Sequence, residues 1–295
     1  MVQNRSLSAI IFHVFNYAFL GVMALLCVLP LVHVLAVSFS SSTEAEAGLV
    51  SLWPIDFTAD SYRYVLNKPE FFKSLGVTLQ KVSLGTALNL LLVILLAYPL
   101  SRETKEFPMR TFYAWAIVFT MLFNGGLVPT YMVVRETQIM DTIWALVLPG
   151  AIPVFHVVML LNFFRGIPKE LVEAAHMDGA GHWTVLRKIM LPLSIPALAT
   201  LLLFNIVGHW NSWFDGLIYM NSPENYPLQT YLRTIIIELD FTALGAMDAI
   251  HQLENVSERT TRAAQIFLGA LPVMLVYPFL QNYFMKGIVL GSVKG

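Results

Sequence analysis

Apolar residues gather in six long runs, at 11–39, 73–100, 111–134, 142–164, 195–219 and 263–285, with polar segments between them. About 20 apolar residues in a helix cross the roughly 30 Å of bilayer hydrocarbon, so each run is long enough to span. The pattern predicts an all-α, polytopic membrane protein with six transmembrane helices. They form a single membrane domain over residues 1–295, with no internal repeat and no separate soluble domain. The first run is longer than the roughly 7–15-residue apolar core of a secretory signal and reads as an uncleaved span.

Helix breakers and isolated polar residues refine the picture. Asn124-Gly125-Gly126 and Pro129 should interrupt or bend the third span, and Pro149 and Pro153 lie in the fourth. A broken helix exposes backbone carbonyls that lipid cannot satisfy, so such breaks are expected where they line protein or a watery path. The segment 40–72 reads as an external loop with a short helix near Asp60 to Tyr64, 135–141 as a brief external turn, and 220–261 as a long external loop. Lys73 and Lys81 precede the apolar centre of the second span and read as snorkelling side chains. The fifth run is the most mixed, carrying Asn205, Gly208, His209, Trp210, Asn211, Ser212, Trp213 and Asp215.

Composition agrees with a membrane protein: 57% of residues are hydrophobic and 13% charged, against about 25% charged in soluble domains. A net charge of −1 leaves no basic surface for nucleic acid. The one cysteine, Cys27, lies in an apolar run, which excludes a disulfide or a cysteine metal site within the chain. Of the 18 lysines and arginines, ten fall in 1–10, 101–110, 165–194 and 286–295, against six in the longer segments 40–72, 135–141 and 220–262. That bias puts both termini and the 165–194 loop on the cytoplasmic side.

The 165–194 loop holds the most specific signal. Residues 169–177 are good helix formers with acids early, and Asp178-Gly179 supplies a stop. Trp183, Leu186 and Ile189 then recur at three-residue spacing up to Pro192, predicting a second amphipathic helix with Arg187-Lys188 facing elsewhere. Here the chain resembles the membrane-spanning subunits of ABC importers, whose cytoplasmic signature is Glu-Ala-Ala, a glycine four residues on, and later Ile-x-Leu-Pro. The matching residues are Glu173-Ala174-Ala175, Asp178-Gly179-Ala180 and Ile189-Met190-Leu191-Pro192. The likeness extends through Asn-Gly-Gly-Leu-Val-Pro at 124–129, Asp-Thr-Ile-Trp-Ala-Leu-Val-Leu-Pro at 141–149 and the Gly-Ser-Val-Lys-Gly ending. Those stretches are similar to the maltose-type carbohydrate permeases, the smaller of the two permease subunits, in the branch of the Bacillus Lpl-type oligosaccharide permeases. Relatives of that branch include permeases for acidic oligosaccharides such as alginate or pectin fragments.

The resemblance implies a permease of the prokaryotic plasma or inner membrane, paired with a second homologous permease. An ATPase dimer would bind ATP and magnesium, and an extracytoplasmic solute-binding protein would deliver a sugar or oligosaccharide. Glu173, Ala174, Ala175, Asp178, Gly179, Leu191 and Pro192 would couple this chain to the ATPase, the two alanines letting a helix lie deep in a partner's groove. The tail 286–295 would rest against the ATPase dimer or remain a solvated end. The chain itself has no G-x-x-x-x-G-K-[ST] phosphate loop and needs no cofactor.

For the substrate path, Asn205, His209 and Ser212 share one helix face at i, i+4 and i+7. Trp210, Trp213 and Tyr219 could stack on sugar rings or form an aromatic belt, and Asn124 and Tyr131 of the third span would complete the polar wall. Two alternatives stand at this point. An ion-coupled secondary transporter would need buried ionisable groups, for which only Asp215 and His209 offer themselves, and an intramembrane hydrolase would use His209 with Ser212.

Overall fold

A computed structural model describes residues 7–123, 125–234 and 257–292. The described residues are helical, with no strand among them. In order the helices are α1 (Leu7–Ser38), α2 (Ser42–Glu46), α3 (Asp60–Leu66), α4 (Pro69–Ser101), α5 (Arg110–Leu122), α6 (Leu127–Glu136), α7 (Ile143–Val147) and α8 (Val154–Arg165). They continue as α9 (Lys169–Met177), α10 (His182–Leu193), α11 (Ile195–Asn211), α12 (Phe214–Tyr219) and α13 (Glu258–Ser292). Residues 228–234 are also helical. By length and composition, α1 and α4 are each able to cross a membrane alone.

Several runs differ from the simple reading. The third helix stops at Leu122 and restarts at Leu127, as its glycines predict, although Asn124 itself lies outside the described residues. The fourth run is not one helix: Pro149 and Pro153, which cannot donate backbone hydrogen bonds, separate a five-residue turn from the twelve-residue α8. The fifth run breaks at Ser212-Trp213 between α11 and α12. The last helix is longer at both ends than 263–285 and carries the tail in helical form to Ser292; residues 293–295 lie outside the described set.

Contacts divide the chain into two compact units. The first comprises residues 1–69 and 232–270. Its small core joins Ala36 and Val37 of α1 to Ala45, Val50 and Ala263. Ser40 folds the loop back by donating to Ala36 O at 2.7 Å and accepting from Ile55 N at 3.0 Å. Phe39 stacks between Phe57 and Tyr62. Most of α1 turns its apolar side chains outward, Leu7, Phe15 and Leu25 among them, a surface suited to lipid or another helix rather than water.

The second unit, residues 70–231 and 271–295, holds both regions of functional interest. One core cluster ties Val93, Ala97 and Tyr98 of α4 to Leu160 and Phe164 of α8, Val172 of α9, Val185, Leu186 and Met190 of α10, and Leu201 of α11. A second gathers Val134, Ala145, Leu146, Tyr219 and Met220. Asp141 secures this second end. Its backbone takes a positive φ of 59°, its Oδ1 accepts from Asn221 N and Ser222 N at 3.1 and 3.2 Å, and its Oδ2 accepts from Ser222 Oγ at 2.7 Å. Partial burial opposes the charged carboxylate, but the hydrogen bonds from Ser222, Asn225 and Asn221 outweigh it and hold the Asp141 carboxyl below its ordinary range.

Because the folded-state value is lowered, the carboxylate's contribution is complete above about pH 4 and is lost as pH falls through the lowered value. Asp141→Ala should accelerate amide hydrogen exchange at Asn221 and Ser222 on the order of tenfold at neutral pH, the loss expected for a hydrogen bond or two. Exchange at wild-type rates in that variant would show that the tether contributes nothing.

Candidate functional site

The predicted loop helix forms over the expected residues. α9 runs from Lys169 to Met177 and ends in two backbone hydrogen bonds, Gly179 N to His176 O at 3.0 Å and Ala180 N to Ala175 O at 2.9 Å. This six-residue closure demands a left-handed residue, and Gly179 provides it with φ +81°. One face of α9 is anchored by buried Val172, while Ala175 and Ala180 pack partly against the same core. The other face carries Glu173, Ala174 and Asp178, all exposed, beside Met177 at 88% exposure.

α10 differs from the regular amphipathic helix expected. Residues Leu186–Met190 form a widened π turn, which gives room at the Lys188 carbonyl that the ring of Pro192 would otherwise crowd. The wider turn also changes the register. Val185, Leu186 and Met190 are the buried residues, while Trp183 is 59% exposed rather than part of the core. Leu191 packs partly against the core and Pro192 is exposed, so these two predicted coupling residues lie at the far end of α10 from α9. There the chain turns by 79° into α11.

A cleft of about 310 Å³ opens beside α9, lined by Arg102, Arg110, Arg165 and Lys169 with Glu103, Glu106 and Glu173. Two of its arginines satisfy the carbonyls at and just beyond the end of α4, Arg165 Nη2 donating to Leu100 O at 3.3 Å and Arg110 Nη1 to Arg102 O at 2.8 Å. Lys169 pairs with Glu103. The hydrogen bond and charge of Lys169 hold the Glu103 carboxyl below its usual range and raise the Lys169 ammonium in return.

The fifth run meets α4 along a polar seam. Lys81, Gly85 and Asn89 of α4 recur every fourth residue, and opposite them stand Asn205, His209, Ser212 and Asp215. Asn89 Nδ2 donates to Asn205 Oδ1 at 3.2 Å and lies 3.3 Å from His209 Nε2. Gly85 is required by proximity: a Cβ there would fall 2.5 Å from His209 Nε2. Lys81, expected to snorkel, is instead fully enclosed and places Nζ 2.5 Å from Asp215 Oδ2, with Ser212 O at 3.3 Å. Ser212 Oγ donates to Asp215 Oδ1 at 2.7 Å, so no serine–histidine dyad forms and the hydrolase arrangement is absent.

A cavity of about 530 Å³ opens along this seam, with Asn89, His156, Asn205, His209, Ser212 and Asp215 among its lining groups. Of the predicted path residues, it brings together Asn205, His209 and Ser212. Trp210 is buried at 4% exposure and is not among the lining residues. Trp213 is half-buried and its carbonyl accepts from Thr230 Oγ1. Tyr131 packs in the second cluster, and Asn124 lies outside the described residues. Among the described residues, the polar groups facing Asn205 and His209 across the cavity are those of Asn89 and His156. Sequence reasoning missed both, as well as Lys81. The available signal was the Lys81, Gly85, Asn89 spacing, which puts one charge, one gap and one amide on a single helix face.

A family model described as the binding-protein-dependent transport system inner membrane component matches residues 78–289. The chain belongs to this family. As a permease of ABC transport systems it is a non-enzymatic membrane subunit, ATP hydrolysis residing on partner subunits. The polygalacturonan/rhamnogalacturonan transport system permease protein YtcP of Bacillus subtilis (strain 168) is 41% identical over 97% of this permease and 99% of its own length. Protein LplC of the same organism is 39% identical over 97% of this chain and 95% of its own. Among solved structures, a bacterial ABC transporter involved in the import of the acidic polysaccharide alginate superposes with a TM-score of 0.85 at 31% identity. The match covers 95% of this chain and 98% of that one. Family membership supports neither the ion-coupled transporter nor the hydrolase alternative.

The contact of Gly85 with His209 gives a packing test. Gly→Ala in a helix gains about 1 kcal/mol, whereas overpacking a tight contact costs about 1–3 kcal/mol. Gly85→Ala should therefore lower the thermal midpoint of the purified complex, and adding His209→Ala should raise it again. A higher midpoint for Gly85→Ala alone would mean the ring moves aside freely.

Proposed function

We propose that this permease forms part of the translocation path of an ATP-driven importer for oligosaccharides, including acidic ones. The observation carrying the reading is the cavity of about 530 Å³ beside the Asn89, Asn205 and His209 seam, a volume within the range of small-molecule sites. Asn89 Oδ1 and Asn205 Nδ2 have no hydrogen-bond partner among the described residues. Both atoms are buried, so they become an acceptor and a donor for a sugar hydroxyl once the seam parts toward the cavity. Tyr219 and Phe204 of the same wall supply apolar surface for a ring face. The names of the relatives, polygalacturonan/rhamnogalacturonan and the acidic polysaccharide alginate, point to acidic polysaccharides as the substrate class.

In this reading the whole chain is one transmembrane domain of six spans with both termini in the cytoplasm of a prokaryotic cell. α5 with α6, α7 with α8, and α11 with α12 are then single but broken spans. A second homologous permease completes the path, a solute-binding protein docks outside, and an ATPase dimer receives α9 from below. Glu173, Ala174 and Met177 form the docking face, Glu173 placed for a charge-assisted hydrogen bond. Gly179 and Asp178 fix its angle, and Leu191 and Pro192 hold the second arm of the loop.

Two sets of variants test this in the reconstituted complex. Asn205→Leu and His209→Leu should each lower oligosaccharide-stimulated ATPase activity about tenfold, as loss of a hydrogen bond or two implies. Unaltered stimulation with normal assembly would move the site to the other permease. Glu173→Lys and Gly179→Val should instead uncouple ATP hydrolysis from uptake or release the ATPase, a side chain at positive φ costing about 1–2 kcal/mol. Retained uptake and assembly in both would remove α9 from the coupling path.

A further inference from the structure

Among the described residues the cavity wall contains one carboxylate and no lysine or arginine; the other titratable lining groups are the imidazoles of His156 and His209 and the phenol of Tyr219. That carboxylate is Asp215, 20% exposed, and behind it sits Lys81 with no exposed side-chain surface. Asp215 has a local task of its own. Its Oδ1 accepts from Ser212 Oγ at 2.7 Å and Gly216 N at 3.0 Å, which organises the break between α11 and α12. The carboxylate thus serves the chain's turn, yet it would place a negative charge on the wall of a site read as admitting acidic sugars.

We infer that Lys81 is the specificity-determining counter-charge that makes this cavity tolerant of anionic sugars. Its ammonium, 2.5 Å from Asp215 Oδ2 and also donating to Ser212 O, cancels the carboxylate at the distances where a uronate would feel it. Without it, a uronate carboxylate and Asp215 some 4–8 Å apart in a partly dehydrated cavity would repel on the order of tenfold in affinity or more. A neutral sugar of the same shape would be indifferent to the change. Lys81 acts through Asp215 and does not itself touch the substrate. The inference rests on the oligosaccharide reading above.

The test compares a galacturonate trisaccharide with its fully methyl-esterified form in proteoliposomes carrying the complete complex. For each variant the ratio of free-acid to ester import rate is divided by the wild-type ratio, so that the solute-binding protein's own preference cancels. Lys81→Met should lower this double ratio about tenfold, because Asp215 then faces the cavity as an uncompensated, water-accessible carboxylate. Adding Asp215→Asn to Lys81→Met should restore it to near one. Asp215→Asn alone, which leaves the ammonium, should raise it, and this variant carries the test if Lys81→Met does not assemble. Equal loss of both sugars, or double ratios within twofold of one for assembled variants, would overturn the inference and leave the pair a purely structural tie. A wild-type complex that imports neither sugar would instead overturn the oligosaccharide reading itself.

Discussion

An ammonium group with no solvent-exposed surface can sit among apolar helices only if a carboxylate meets it and the remaining polar atoms around both are satisfied. The idealised desolvation penalty runs to many kcal/mol per ion, and attraction repays it only when geometry is close. Lys81 and Asp215 meet at 2.5 Å, with Ser212 O accepting a second hydrogen bond from the ammonium and Ser212 Oγ and Gly216 N donating to the carboxylate. The pair fixes the register of α4 against the break between α11 and α12. One turn along, His209 enters the space left by Gly85, and a further turn along, Asn89 reaches Asn205.

The same two helices extend to the loop side of the second unit. Val93, Ala97 and Tyr98 of α4 and Leu201 of α11 share one buried cluster with Val172 of α9 and Val185, Leu186 and Met190 of α10. Tyr98 Oη also donates to His182 O at 3.0 Å, fastening the start of α10. Close-packed interiors transmit displacement because they contain little free volume to absorb it. The loop is therefore joined to the seam by continuous packing through α4, whose Ala97 and Asn89 lie about two turns apart on the same helix. The exposed face of α9 and the cavity wall thus stand on helices that share one packed cluster.

Much of this was legible from residue pattern alone. The bounds of α9, the positive φ at Gly179, the break near Gly125 and the shared face of Asn205, His209 and Ser212 all follow from spacing and helix-stop chemistry. What escaped has a common cause: it depends on a second element. The burial of Lys81 requires Asp215, 134 positions away, and neither residue's neighbours in sequence announce the other. Asn89 and His156 are single polar residues within apolar runs, and single-helix periodicity says which face a residue occupies, not what that face meets. The π turn at Leu186–Met190 shifted the later buried position from Ile189 to Met190 for a similar reason, since a repeat counted at regular helical spacing does not foresee the room that Pro192 requires.

A seam between α4 and α11 that lines the route taken by substrate must change its solvent access during transport, and thiol accessibility at one position reads that change. Gly208 is exposed on the cavity wall, and a Cβ there would meet no atom within 4 Å. The native Cys27 is exposed and would be replaced by serine first. In that background, a membrane-impermeant thiosulfonate should modify Gly208→Cys in the working complex at a rate that changes with nucleotide state and slows when sugar-loaded binding protein is present. The buried control Leu201→Cys should stay inert. Modification of Gly208→Cys that is absent in every state, or indifferent to both nucleotide and sugar, would contradict the account.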